Sequence, residues 1–399
     1  MTEFQKGFLT LVKAALTDSP LEYPVKLDYE EVYRIAEAQQ IVPLVYYGAI
    51  KDPVFMGQKY AQIFLERTCV YVGHSEDQTE TVNRVFQAFD KEGISYMPLK
   101  GTLLKSMYPS AEMRVMGDSD ILIRMDEYER IRKLMLSLMM IPQKESDHEY
   151  NWKTMTGLQI ELHKRLIPSY NEDYYAYYGD GWRLARPVEG EGCRYEMSPE
   201  DTFIYLFTHF AKHYRDQGVG MKYVIDFYVY RRQYPELDMA YIARELDKLQ
   251  LFEFYQNVAR MIDVWFEGAS PNELTDYLTN KVFADGVFGK EENGVMSEGV
   301  KLSKESDSVR AKKRWQLIFP GYSSMCARHP ILKKWAILLP LFWIIRGFDI
   351  ILFHRDRYRN RMEQLELMSD ENIDQYHRDL NYVGLDYNFG ENDPPKEKK

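Results

Sequence analysis

Along the first ninety residues, apolar positions recur every three or four places, the spacing of one buried helix face. Residues 1–90 therefore read as helices. Asp28 stands where an N-cap belongs and opens a helix through Ala38, and Val42–Tyr47 begins another. Between 57 and 90 the helical spacing is carried by Tyr60, Ile63, Phe64, Val70, Val82, Val85, Phe86 and Phe89. The period changes at Gly93. Ile94–Leu99 is a short apolar run between glycines and suits a buried strand. Gly101 then opens a short helix, Thr102–Met107, and Ser119–Arg124 reads as a second strand. Asp126 and Glu129 have the spacing of a capping box for a helix that runs to about Met140. His148–Met155 and Leu158–Lys164 read as a hairpin about Thr156-Gly157.

From Ser198 the helical period returns. Ser198-Pro199-Glu200-Asp201 is a strong start: an N-cap serine, proline at the first helical position, then acids that suit the positive end of the helix dipole. Helices are expected at about 199–215, 221–232, 238–249 and 252–267. Residues 286–311, rich in Gly, Glu, Lys and Ser, read as a linker, 312–385 as C-terminal helices and 386–399 as a disordered tail. The expected fold class is α+β. A small mixed-sheet core (93–197) is flanked by an N-terminal helical region (1–92) and a helical domain (198–285).

The apolar run from Trp335 to Phe353 approaches the length of a membrane span, but Arg346 and Asp349 lie inside it and Pro340 interrupts it. A charge at mid-bilayer costs about 2.5–3.5 kcal/mol on insertion scales. A buried or amphipathic helix pair is the expectation, with peripheral membrane contact through 331–355 as the alternative, favoured by the basic residues around it.

Composition narrows the class. Apolar residues make up 45% of the chain, enough for a real core, and the net charge of −10 disfavours a broad basic surface for nucleic acid. The three cysteines, Cys69, Cys193 and Cys326, are far apart, which argues against a disulfide framework or a cysteine zinc site and fits a reducing, cytoplasmic compartment. Met1–Ala15 has no basic segment ahead of a long apolar one, so no signal peptide is expected.

Candidate chemistry sits in residues 98–125. Side chains on a strand alternate faces, so Asp118 and Asp120 point the same way, about 6.5–7 Å apart along the backbone. Two carboxylates beside apolar Ile121 and Ile123 are costly unless a cation neutralises them. Glu161 stands between Ile160 and Leu162 in the same manner. If the hairpin pairs beside the aspartate strand, the three acids converge on a divalent pair, Mg2+ or alternatively Mn2+. Gly101 lets backbone amides approach a phosphate at a helix start, and Thr102 adds a hydroxyl. Arg114 is the nearest clamp for phosphate oxygens, with Lys100 and Lys105 as further candidates. Taken singly, each has a plain structural alternative: a turn glycine, a strand-edge D-x-D, a surface glutamate.

Together, LKGTLL, R-x-M-G-D-S-D-I-L-I and I-E-L-H resemble the bacterial family labelled uncharacterised nucleotidyltransferase, within the DNA polymerase β-type superfamily. The resemblance is specific over 94–166 and weaker over 208–230. It implies a nucleotidyltransferase core in which Gly101 and Thr102 match the phosphate turn, Asp118 and Asp120 the metal ligands, and Glu161 the third acid. Thr102 departs from the small residue usual there. The implied reaction moves a nucleoside monophosphate from an NTP to an unidentified acceptor with release of pyrophosphate. His163 either binds phosphate, orients Glu161 or is structural. His209 and His213, one helical turn apart, have a spacing that suits a metal; alternatively Lys212 and His213 reach the triphosphate from the helical domain, and Asp226 either caps the pocket or pairs with Lys222 or Arg231. Two competing readings are a D-x-D glycosyltransferase and a catalytically silent binding or antitoxin-type protein.

Overall fold

A computed structural model describes residues 1–169, 171–216, 218–286, 315, 319–322, 325–326, 329–353 and 370–385; the expected linker from 287 on and the tail from 386 lie outside the described residues. Contacts divide the described chain into two compact units. One is built from 1–213, 219–286 and 383–385, the other from 214–218 and the described part of 289–382.

The first unit opens with four helices, α1 (Glu3–Thr17), α2 (Tyr29–Ala38), α3 (Val42–Ala49) and the long α4 (Lys59–Glu92). Asp28 caps α2 as expected, its side chain accepting the Glu30 amide at 3.0 Å. Gly93, at φ +65°, ends α4 in the left-handed conformation a glycine adopts without steric cost.

A five-stranded sheet follows: β1 (Tyr96–Pro98), β2 (Asp118–Ile123), β3 (Ile141–Glu145), β4 (Glu149–Lys153) and β5 (Gln159–His163), in spatial order β1-β2-β5-β4-β3. Only β2 and β5 pair in parallel; the other neighbours are antiparallel, so the sheet is mixed and the class is α+β. The hairpin expected about Thr156-Gly157 is present, with Gly157 at φ +101° and Glu149 opposite His163. One face of the sheet carries Ile121, Ile123, Tyr150, Trp152, Ile160 and Leu162. These pack with Val85 and Phe89 of α4 and with Ile131 and Met135 of α6 (Tyr128–Ser137) in a buried core.

Between β1 and β2 the chain forms α5 (Lys100–Leu104) and a 3-10 turn, Lys105–Met107. The helix thus starts at Lys100, ahead of the expected Thr102. One other expectation fails, and one strand was not anticipated. The Asp126/Glu129 capping box does not form: Met125–Glu127 adopts a 3-10 turn that runs straight into α6, so no extended N-cap is available there. Strand β3 was not expected. Its sequence, IPQKE, lacks alternation and holds a proline, which a sheet tolerates only at an edge, and β3 is an edge strand.

After α7 (Glu172–Tyr178) and the short pair β6 (Arg186–Pro187) and β7 (Tyr195–Glu196), helices resume: α8 (Pro199–Asp216), α9 (Met221–Gln233), α10 (Met239–Lys248) and α11 (Phe252–Phe266). Ser198 caps α8, its hydroxyl oxygen accepting the Asp201 amide at 3.0 Å. A further helix, α12 (Glu273–Asp285), was missed. Asn272 and Thr275 exchange side-chain to backbone bonds at its start, but its buried face includes Thr275, Thr279 and Asp285, which blurs the apolar period.

In the second unit, α13 (Leu339–Phe353) lays Leu339, Phe342 and Trp343 on a small cluster of Met325, Cys326 and Leu332, while Leu341, Ile344 and Ile345 are exposed. Helix α14 (Asp370–Tyr382) follows. No helix among the described residues is long and apolar enough to cross a membrane.

Candidate active site

The face of the sheet opposite the apolar core carries polar residues on three adjacent strands. Alternation puts Asp118 and Asp120 of β2 there, and the parallel register sets Glu161 of β5 directly opposite Asp120. His163 follows on the same face, and β4 adds Glu149 opposite His163 and Asn151 opposite Glu161. A carboxylate face of this kind survives folding because the apolar side chains of the same strands fill the core behind it.

Asp118, Asp120, Glu149 and Glu161 open on a pocket of about 270 Å³ whose other wall is α8 and α9, through Leu206, His209, Lys212, His213, Lys222, Tyr223, Asp226 and Phe227. Lys100 Nζ donates to Asp120 Oδ1 at 2.6 Å, and His163 Nε2 lies 2.7 Å from the same oxygen and 3.6 Å from Glu161 Oε2. Asp118 makes no side-chain hydrogen bond among the described residues. One oxygen of Asp120, one of Glu161 and a nitrogen of His163 lie within 4.8 Å of one another, as do ligand atoms of His148, Glu149 and His163; Asp118 stands outside both groups.

The electrostatics follow from this crowding. Burial, then repulsion from Asp120 and Glu161, pushes the Asp118 carboxyl up to about 6. Burial opposes the charge on Asp120 as well, but Lys100 and the hydrogen bond with His163 outweigh it and hold that carboxyl well below the usual range. Lys100 is largely buried too, its side chain 18% exposed, yet the aspartates keep its ammonium charged. His209 has no such partner among the described residues. Burial, followed by the neighbouring His213 at 4.4 Å between ring centroids, keeps its imidazole neutral.

Several expected phosphate contacts are placed otherwise. Arg114 is buried and faces Asp226, Nε to Oδ1 at 2.6 Å and Nη2 to Oδ2 at 2.7 Å, and its Nη1 donates to the Val115 carbonyl. Tyr108 also donates to Asp226 at 2.6 Å. Arg114 is thus a tie between the segment before β2 and helix α9. Asp226 pairs with neither Lys222 nor Arg231, whose partner is Asp263. Thr102 turns its hydroxyl to β2 and accepts the Asp120 amide at 2.9 Å. Lys105 donates to the Ser75 carbonyl and Gln78, away from the carboxylate pocket. Gly101 does line that pocket, and a Cβ there would sit 2.5 Å from Met116 Sδ, so its bareness first serves Met116 packing. Lys100 itself takes φ +44°, a left-handed conformation costing about 1 kcal/mol or more in a residue with a side chain. That strain accompanies its reach to Asp120.

A family model described as Uncharacterised nucleotidyltransferase matches residues 26–267, more than half of the chain. The chain belongs to this nucleotidyltransferase family. The matched span runs from α2 through α11, so it takes in every side chain just placed around the pocket. No curated protein and no solved structure matches the chain.

Sequence reasoning overlooked His148 and Glu149 as pocket residues, although a hairpin centred on Thr156 already pairs Glu149 with His163. His148 Nε2 lies 2.9 Å from Glu149 Oε2. Lys222 was read only as an ion-pair partner; the structure turns it into the pocket, where burial, then Arg114, pushes its ammonium down to about 8. The groups that hold three metal-ligating side chains among the described residues include neither His209 nor His213.

Proposed function

We propose that this nucleotidyltransferase transfers a nucleoside monophosphate from an NTP to an acceptor nucleophile, with Asp118, Asp120 and Glu161 holding divalent metal, Mg2+ by ligand type. The observation that carries this reading is the register of β2 on β5, which sets Glu161 beside Asp120 on the face that also carries Asp118. The residues fit such an ion. Of the three carboxylates only that of Asp120 pairs with an ammonium, that of Lys100, and Asp118 lacks a hydrogen-bonding partner among the described residues, so carboxylate oxygens are left for a cation. Hard divalent cations take oxygen ligands of this kind.

Held by Asp118, Asp120 and Glu161, a divalent ion would supply positive charge to activate the attacking group and to offset the charge of the leaving pyrophosphate. The chain's own groups do the rest. Lys100 and His163 hold Asp120 in one orientation through the same oxygen. Lys212 and Lys222 bring positive charge to the wall facing the acids, where a triphosphate gains from it. The acceptor's nucleophilic oxygen or nitrogen forms the new bond to the α-phosphorus while the bond to pyrophosphate breaks, and the acceptor's proton passes to solvent water. Membrane-surface contact through 331–355 belongs to the same proposal, supported by the exposure of Leu341, Ile344 and Ile345; failure to sediment with anionic vesicles would remove that part alone.

The test is pyrophosphate release by the full chain with Mg2+, screened over the four NTPs against pools of small hydroxyl, phosphosugar and protein acceptors. Metal- and acceptor-dependent pyrophosphate that disappears in Asp118→Asn supports the reading. Turnover of a nucleotide sugar in its place, with no NTP consumed, contradicts it.

A further inference from the structure

A second cavity, of about 280 Å³, lies between α4 and the α5 segment, apart from the carboxylates. Val82 and Phe86 of α4, Pro98, Leu103 and Met116 give it apolar walls. Phe86 is held flat against Tyr96, ring centroids 4.6 Å apart. Among the polar side chains that line it, Gln78, Lys105 and Arg194 carry donors to spare. Gln78 is 2% exposed, and its Oε1 already accepts from Lys105 Nζ at 3.3 Å, which fixes the orientation of the amide. Its Nε2 has no partner, and neither has the buried Nε of Arg194. Lys105, 7% exposed, spends two donors on Gln78 and the Ser75 carbonyl and holds a third. Buried donors are almost always satisfied in a folded chain, and two unpaired ones on residues that line one cavity favour an acceptor supplied from outside.

We propose that this cavity is a binding site for a small monocarboxylate with an apolar, preferably aromatic, body. The carboxylate accepts from Gln78, Lys105 and Arg194. Glu191 balances Arg194 with an ion pair at 2.6 Å, so Lys105 is the cation left for the ligand's charge. Burial pushes that ammonium down to about 8, a cost that an anion beside it relieves. The apolar walls select against bare phosphate. The site is independent of the proposed metal chemistry but adjoins it: Met116 lines both cavities, and Thr102, which lines this one, accepts the Asp120 amide.

The test uses full-length protein without nucleotide or divalent metal, titrated with 4-fluorobenzoate and read by fluorine NMR. Saturable binding is expected. Gln78→Glu keeps an acceptor for Lys105 but turns the open donor into a like charge, and should weaken binding about tenfold or more. Asn83→Trp, at an exposed α4 position on the rim, should fill the cavity and do the same, and circular dichroism confirms that both variants fold. Asp118→Asn should leave the affinity unchanged. Absence of saturable binding, binding unaltered in both cavity variants, or equal competition by inorganic phosphate would each overturn the proposal.

Discussion

Replacing Asp226 with asparagine should destabilise the protein severely, because Arg114 would be left charged and buried. The side chains of both residues are only 7% exposed, and three hydrogen bonds of 2.6–2.7 Å converge on the carboxylate, two from Arg114 and one from Tyr108. Asparagine keeps one acceptor but presents an NH2 where Nη2 donates, and it removes the compensating charge. Breaking a buried pair from one side typically costs about 3–5 kcal/mol. Burial opposes the charge on Arg114, but the carboxylate raises its pKa above its already high ordinary value, so it cannot escape by losing its proton. Urea unfolding followed by circular dichroism reads the change as a lower midpoint at unchanged slope. Arg114→Met with Asp226→Leu should recover much of the loss, since an apolar pair removes both charges together. A loss below about 1 kcal/mol in Asp226→Asn, accompanied by weaker NTP binding, would refute the reasoning and restore Arg114 to the role of a phosphate clamp.

Asp118 should cost stability in the metal-free protein. Its folded pKa of about 6 lies above the unfolded value, so the folded state holds the proton longer, and stability falls as pH rises from about 4 to 6 and stays reduced above. Asp118→Asn should therefore be more stable than the parent at pH 7 by up to about 3 kcal/mol, with the difference vanishing near pH 4; thermal melts at both pH values check this. Lys222 should make nucleotide affinity depend on pH. Its ammonium, depressed to about 8, is charged below that value and neutral above it, so NTP binding should weaken as pH rises through 8 and the dependence should flatten in Lys222→Arg. Calorimetric titrations at pH 7 and pH 9 decide it, and equal affinities in the parent protein would remove Lys222 from the phosphate wall.

How much of this was legible in the sequence depends on the range of the interaction. The caps at Asp28 and Ser198 and the hairpin about Gly157 are local, and the chain forms them where the residues indicate. The common face of Asp118 and Asp120 needs only strand alternation. That Glu161 joins them required β5 to lie beside β2, which alternation alone does not decide; the match to a family motif pointed to it. The basic residues misled because charge is visible in a sequence and its partner is not. Arg114 finds Asp226 from 112 residues away, and Lys105 turns to a carbonyl on α4. Strand β3 and helix α12 escaped for a different reason. An edge strand and a helix with buried threonines need not display an apolar period.

Magnesium-dependent NTP binding in the paired variant Asp118→Asn with Glu161→Gln tests the central claim most directly. Neither substitution touches the bonds that Lys100 and His163 make to Asp120, so the fold is expected to persist. Isothermal titration of each NTP, with and without Mg2+, should show metal-enhanced binding in the parent protein and none of that enhancement in the variant. Undiminished enhancement in the folded variant would contradict a metal site on the β2–β5 face.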